Sequence, residues 1–339
     1  MLLSLILGVL VVTLSLASPT QHSKNPRPLA IWHGMGDSHS SPGMLEFSNM
    51  IRQVHPGIFI HSVYIEKELD KDKQATYYGN VNDQIELVSK QLADIPELAG
   101  GFDAIGFSQG GQFLRAYVER NNSPPIRNLI TFGSQHMGVS DIAKCGRFDV
   151  MCQVARRAVK AGVYSEWAQQ NLVQAQYYRD PANLPHYFSA NKFLTSINNE
   201  IQGSHNETYA TNLASLENLV LILFTEDTTV IPKESAWFGS EVIEDESHVY
   251  REEEEIDYDE ENLRGQERIG KVQVPRRNEK LLDRTILPMK MQPLYKEDWI
   301  GLKELDERNG VVFDVCEGTH MDIGECWERL VRKWVGEVV

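Results

Sequence analysis

Short apolar runs recur along the chain at wide intervals: Leu29–Trp32, Ile58–Ile65, Phe102–Phe107, Leu129–Gly133, Leu219–Phe224 and Val311–Val315. Most have few polar positions, which is the pattern of strands buried on both faces rather than strands with one wet side. Between them the period changes. Positions 81, 85, 88 and 92 are apolar within a polar stretch, as on a helix laid against a sheet. Phe113, Leu114, Tyr117 and Val118 repeat that spacing after the third run, and Cys326 to Val335 reads as a closing helix. Buried strands alternating with amphipathic helices predict a single α/β domain, with a mostly parallel sheet flanked by helices.

Two stretches break the alternation. From 139 to 216 the apolar residues are plentiful but irregular, among them Val154, Ala158, Ala161, Trp167, Leu172, Tyr177, Phe188, Phe193, Leu194 and Ile197. Lying between two sheet strands, this segment is expected to be an inserted helical cap whose apolar groups form a pocket for a greasy ligand. From 241 to 285 the chain is first strongly acidic, with Glu252 to Glu255 in a row, then basic from Lys271 to Arg284. Neither half has periodic apolar residues, so a mobile surface insertion is expected, with a docking surface for a partner as its functional alternative.

The 339 residues are enough for one sizeable core, and a formal net charge of −15 gives no electrostatic reason to bind nucleic acid. Met1 to Ser18 is apolar, with Ser15 and Ala17 suiting a cleavage site. Residues 1–17 therefore read as a signal peptide, and 18–339 as the α/β domain. No later segment is apolar enough to predict stable membrane insertion. The four cysteines of an exported chain fall in two near pairs, which suggests Cys145–Cys152 and Cys316–Cys326, although four cysteines allow three connectivities. Asn206-Glu207-Thr208 is a glycosylation sequon. No metal-ligand spacing occurs, and no metal site is expected.

The chemistry centres on Gly106-Phe107-Ser108-Gln109-Gly110, set between a predicted strand and a predicted helix. Gly-x-Ser-x-Gly in that setting is the nucleophile-elbow pattern: the turn is so tight that the flanking residues must be small, and the serine hydroxyl is left exposed. The first strand ends in His33-Gly34-Met35-Gly36-Asp37, a Gly-rich loop placed where a second oxyanion donor belongs. Backbone N–H groups of Met35 and Gln109 are the candidate pair, and His33 reads as a residue that orders the loop backbone. Asp227, preferred to Glu226, follows the fifth run. His320 follows the last, which completes the order Ser, Asp, His. Such a triad needs no cofactor. His320 must be neutral to take a proton, so activity is expected to fall below neutral pH.

These segments resemble the palmitoyl-protein thioesterases, lysosomal α/β-hydrolases that remove long fatty acyl groups from protein cysteines. The stretch GFSQGGQFLRA (106–116) is similar almost letter for letter to that family's nucleophile segment, and HGMGDS (33–38) to its oxyanion loop. LVQAQYYRDP (172–181), Trp237-Phe238-Gly239 and Arg308 through His320 extend the likeness. The resemblance implies an α/β-hydrolase fold and thioester hydrolysis of S-acylated proteins, with Ser108 as nucleophile, Asp227 as acid, His320 as base, and Met35 and Gln109 as oxyanion donors. It implies glycosylation at Asn206 and a disulfide near Cys145 and Cys152. It also implies delivery to the lysosome or vacuole, with secretion as the alternative. The family's further cysteine pairs are missing here, the Cys316 and Cys326 pair is different, and the 241–285 segment is extra. A lipase or carboxylesterase acting on oxygen esters, and a catalytically silent hydrolase fold that binds lipid or protein, are the competing functions.

Overall fold

A computed structural model describes residues 25–141, 162–243 and 284–337. The expected signal peptide, the Cys145–Cys152 pair and residues 244–283 of the charged segment lie outside the described residues, as do Val154, Ala158 and Ala161.

Six parallel strands form the sheet in the order β2-β1-β3-β4-β5-β8: β1 Leu29–Trp32, β2 Ile60–Ser62, β3 Phe102–Phe107, β4 Ile126–Phe132, β5 Asn218–Phe224 and β8 Val311–Cys316. The four central strands are almost wholly buried, in keeping with their mostly apolar runs. Alternate residues face opposite layers. Ala104 and Leu129 join one core, and Ile105 and Ile130 the other.

Helix α1 (Pro42–Val54) starts at Ser41, whose hydroxyl caps Met44 N, and buries Met44, Phe47 and Ile51 against the second layer. The closing helix, α11 (Cys326–Trp334), packs on the same side through Leu330 and Val331. α2 (Leu69–Ala75) lies beyond β2. On the other face, α3 (Val81–Ala93) buries Val81, Ile85, Val88 and Leu92, the stripe predicted from spacing.

α4 (Gln109–Arg120) is buried all round, because a second layer covers the side away from the sheet. α7 (Leu194–Ile197) and α8 (Glu207–Ala214) belong to that layer, in a segment that also forms α5 (Glu166–Asn171) and α6 (Leu184–Ala190). Leu172, Tyr177, Phe193, Leu194 and Ile197 are buried in the same continuous core as Trp32 and Phe113, while Trp167 and Phe188 are exposed. α8 lies along α4, with Asn212 Nδ2 donating to Glu119 O at 3.0 Å. After β5 the chain forms β6 (Ser240–Ile243), which pairs antiparallel with β7 (Arg284–Leu287), followed by α9 (Pro293–Lys296) and α10 (Leu302–Glu307). The expected mobile insertion therefore needs correcting at both ends: Glu241–Ile243 and Arg284–Thr285 are paired strand. Glu241 and Val242 are buried, and ladder hydrogen bonds replace the apolar periodicity the sequence lacks there.

The cover over α4 buries charge. Arg115 Nη1 donates to Glu119 Oε1 at 3.1 Å. Nη2 donates to His136 O at 3.0 Å and Asn198 Oδ1 at 2.9 Å, and the guanidinium stands 5.1 Å over the Phe238 ring. His136 stacks flat on Phe238, with centroids 4.7 Å apart. Burial first, and Arg115 second, hold this imidazole well below its ordinary value, so it stays neutral. Complete burial pushes the Glu119 carboxyl up to about 7 against the opposing pull of Arg115 and Arg120. Its Oε2 has no partner among the described residues. Because the folded value lies above the unfolded one, Glu119 contributes stability that is fully present below about 4.5 and lost as pH rises through 7. Thermal melts between pH 4.5 and 8 are expected to show this loss, and Glu119→Gln to flatten it. An unchanged slope in the variant would assign the pH dependence elsewhere.

Candidate active site

The strand order reverses direction between β1 and β3. From β1 the chain leaves to α1 on one face, and from β3 to α4 on the other, which makes their carboxyl ends the switch point where open α/β sheets place their sites. The register aligns Trp32 with Gly106, which brings the loop after β1 beside the turn after β3. A Cβ added at Gly34 would stand 3.3 Å from both Phe107 O and Ser108 Cβ.

Ser108 sits in that turn with φ 51° and ψ −122°, a backbone region that costs a non-glycine residue about 1–3 kcal/mol. Ser108 N donates to Phe132 O at 2.8 Å, and surrounding contacts hold the turn. The glycines permit this closeness. A Cβ at Gly106 would fall on the Gly111 backbone, and one at Gly110 on the Trp32 carbonyl. Gly111 is a third such position, since its Cβ would strike Ser134 Oγ. The five-residue pattern does not reveal it, because the obstacle comes from the loop after β4.

β5 and β8 end in register at Phe224 and Cys316, and their loops are stitched together: Thr225 N donates to Cys316 O, and Glu226 N to Gly318 O. Asp227 turns inward and is 9% exposed, while the neighbouring Glu226 is exposed. Asp227 Oδ1 accepts from Thr229 N and Val230 N at 2.8 and 3.0 Å. Its Oδ2 lies 2.6 Å from His320 Nδ1. His320 Nε2 is 3.1 Å from Ser108 Oγ.

β8 stands three strands from β3, roughly 14 Å at the usual spacing, so the His320 loop must reach back across the ends of β5 and β4. Gly133, with φ 56°, leaves the room. Its Cβ would come within 3.1 Å of the Phe224 ring and Met321. The Phe224 ring meets the imidazole edge-on at 5.9 Å, and the Cys316–Cys326 disulfide ties the loop's two ends together. The serine, imidazole and carboxylate thus form one hydrogen-bonded chain. Of the other expected site residues, Asn206 is exposed at the N-cap of α8.

The loop after β1 rests on α2. Gly36 N donates to Thr76 Oγ1 at 2.9 Å, and Gln109 Nε2 donates to Thr76 O at 3.1 Å. Gln109 N, in the first helical turn, has no acceptor within its own helix. His33 is buried, with Nε2 3.1 Å from Asp72 Oδ2. Burial alone would raise the Asp72 carboxyl, but His33 and the N–H groups of His39 and Ile65 outweigh it and hold it well below the usual carboxylate range. Sequence reasoning missed Asp72 and Thr76. They lie in or beside the charged run Glu66 to Lys73, which reads as a solvated surface.

Among the described residues, no helix is long and apolar enough to cross a membrane. Residues 28–320 match the family model for palmitoyl protein thioesterase. The chain is 36% identical over 297 residues to palmitoyl-protein thioesterase 1 of Caenorhabditis elegans, covering 87% of each chain. It is 29% identical to palmitoyl-protein thioesterase 3 of Dictyostelium discoideum, over 95% of this chain and 92% of that one. The human lysosomal thioesterase PPT2 is 26% identical, over 67% of this chain and 72% of that one.

Proposed function

Because this chain belongs to the palmitoyl-protein thioesterase family, we propose that it hydrolyses long-chain fatty acyl thioesters on the cysteines of S-acylated proteins or peptides through Ser108, His320 and Asp227. The observation that carries this reading is the continuous contact from Asp227 through His320 to Ser108 on a strained elbow. His320 Nε2 accepts the Ser108 proton as Oγ attacks the thioester carbonyl, and Asp227 holds Nδ1–H and so selects the tautomer. Backbone N–H groups of Met35 and Gln109 receive the oxyanion, each worth about 3 kcal/mol by analogy with other hydrolases. The C–S bond breaks, the thiolate takes the proton from His320, and the acyl group remains on Ser108. Water then attacks the acyl-serine, giving its proton to His320, and the fatty acid leaves as Oγ regains a proton. Delivery through the secretory pathway to the lysosome accords with the apolar segment before Ser18 and with the lysosomal relative.

Purified protein is expected to release free thiol from an S-palmitoyl peptide and to prefer it to a matched long-chain oxygen ester. Faster turnover of the oxygen ester would favour a lipase or carboxylesterase built on the same three residues. Absence of turnover with both would overturn the enzymatic reading.

A further inference from the structure

We propose that His33 is a positioning residue, which aims and polarises the Gly34–Met35 peptide so that Met35 N–H faces the oxyanion. The inference rests on the hydrolase reading above and on the assignment of Met35 N as a donor. Both ring nitrogens of His33 face acceptors. Nδ1 lies 3.1 Å from Gly34 O, and Nε2 lies 3.1 Å from Asp72 Oδ2. A peptide carbonyl can only accept, and Asp72 is held as a carboxylate that already accepts from Ile65 N at 2.8 Å, Glu66 N at 3.2 Å and His39 N at 2.8 Å. Both contacts are therefore hydrogen bonds only when the ring carries both hydrogens. The other titratable group facing this pair is His39, whose Nδ1 is 3.0 Å from the same Asp72 oxygen.

The consequence follows from peptide geometry. Gly34–Met35 is a trans peptide, so its C=O and N–H point in opposite directions across one plane. A donor fixed on Gly34 O therefore fixes the direction of Met35 N–H. An N–H donor there also draws electron density onto the oxygen and strengthens the Met35 N–H as a donor. The ring is 1% exposed and cannot swing away, and the next amide, Gly36 N, is pinned to Thr76 Oγ1. The peptide is thus held on both sides, at a point where a Cβ on Gly34 would stand 3.3 Å from Ser108 Cβ.

The test compares the wild-type enzyme with His33→Ala and His33→Gln on an S-palmitoyl peptide and on an activated short-chain ester. Both reactions pass through a tetrahedral oxyanion. Active sites are counted by fluorophosphonate labelling of Ser108. Because outright loss of an oxyanion donor costs about 10²–10³ in kcat, the loss of its aim is expected to cost about tenfold to a hundredfold per labelled site on both substrates. KM should change by less than about threefold. A kcat per labelled site equal to wild type would overturn the proposal and leave His33 with a folding role only. In nitrogen-15 spectra of the folded wild-type protein, His33 Nδ1 should bear hydrogen, since it faces the Gly34 carbonyl, and a bare Nδ1 would overturn the proposal independently. If wild type turns over neither substrate, the hydrolase reading fails, and the spectrum still decides whether His33 Nδ1 donates to Gly34 O.

Discussion

Replacing Ser108 with alanine is expected to lower kcat toward an S-palmitoyl peptide by about six orders of magnitude, and Asp227→Asn by about four. The two losses differ in origin. Without Oγ no acyl-enzyme forms, and what remains is the acceleration that the oxyanion donors give to direct attack by water. With an amide in place of the Asp227 carboxylate the nucleophile survives, but that amide can donate to His320 Nδ1 and so favours the tautomer whose Nε2 carries hydrogen, which cannot accept from Ser108 Oγ, 3.1 Å away. The effects should not add, because the three groups act as one unit: the double variant should be no slower than Ser108→Ala. Thermal melts should leave both singles close to wild type, since the Asp227→Asn side chain retains an oxygen for Thr229 N and Val230 N. A Ser108→Ala protein that kept a tenth of its kcat would sink the assignment of the nucleophile.

Arg115→Ala is expected to destabilise the fold by about 3–5 kcal/mol, the cost of breaking a buried ion pair from one side. Arg115 has no exposed surface, and its loss leaves Glu119, His136 O and Asn198 Oδ1 without their donor. In a chain of this size the melting temperature should fall by on the order of 10 °C. Adding Glu119→Gln should restore part of that loss at pH 8, where the Glu119 carboxyl left without Arg115 must take up a proton to stay buried and an amide need not. The cluster joins α4, which begins at the nucleophile, to the turn after α7, so its loss should also loosen the cover over that helix. A single variant that melted within about a degree of wild type would show that the pair contributes nothing net.

Strands β1, β3 and β5 could be read from the chain with nearly their observed limits, because residues buried on two sides are mostly apolar, whereas β4 begins three residues before the run at Leu129, through Ile126, Arg127 and Asn128. Leu219–Phe224 is the plainest apolar run, whereas β3 also buries Asp103, which Arg27 meets at 3.0 Å. β2 is shorter than the apolar run from Ile58 to Ile65, since an edge strand pairs on one side only. The elbow was legible because its steric demand is local, spanning Gly106 to Gly110. Gly111 was not, as its neighbour Ser134 lies more than twenty residues further along the chain. Arg115 and Glu119 sit at i and i+4 on a helix, where charges ordinarily mark a wet face. Their burial depends on α8 and on the turn after α7, and no property of α4 itself announces that cover. The apolar residues expected to line a pocket in the 139–216 segment belong, at Leu172, Tyr177, Phe193, Leu194 and Ile197, to the main core, because composition tells that a residue leaves water and not what it meets there.

The chain alone determined what depends on neighbours in sequence: which runs are strands, where the backbone must turn sharply, and that a serine, an acid and a histidine occur in hydrolase order after three of those strands. Only the tertiary structure decided what depends on strand order. The reversal between β1 and β3 lays the Gly34 loop against Ser108, and the parallel register of β5 with β8 sets Asp227 2.6 Å from His320. Helix α2 supplies Asp72 and Thr76 to that loop from a stretch whose charges read as plain surface. Hydrophobic patterning acts over a few residues, whereas the contacts that assemble this site join positions up to 212 residues apart, and their distances follow from how the layers stack.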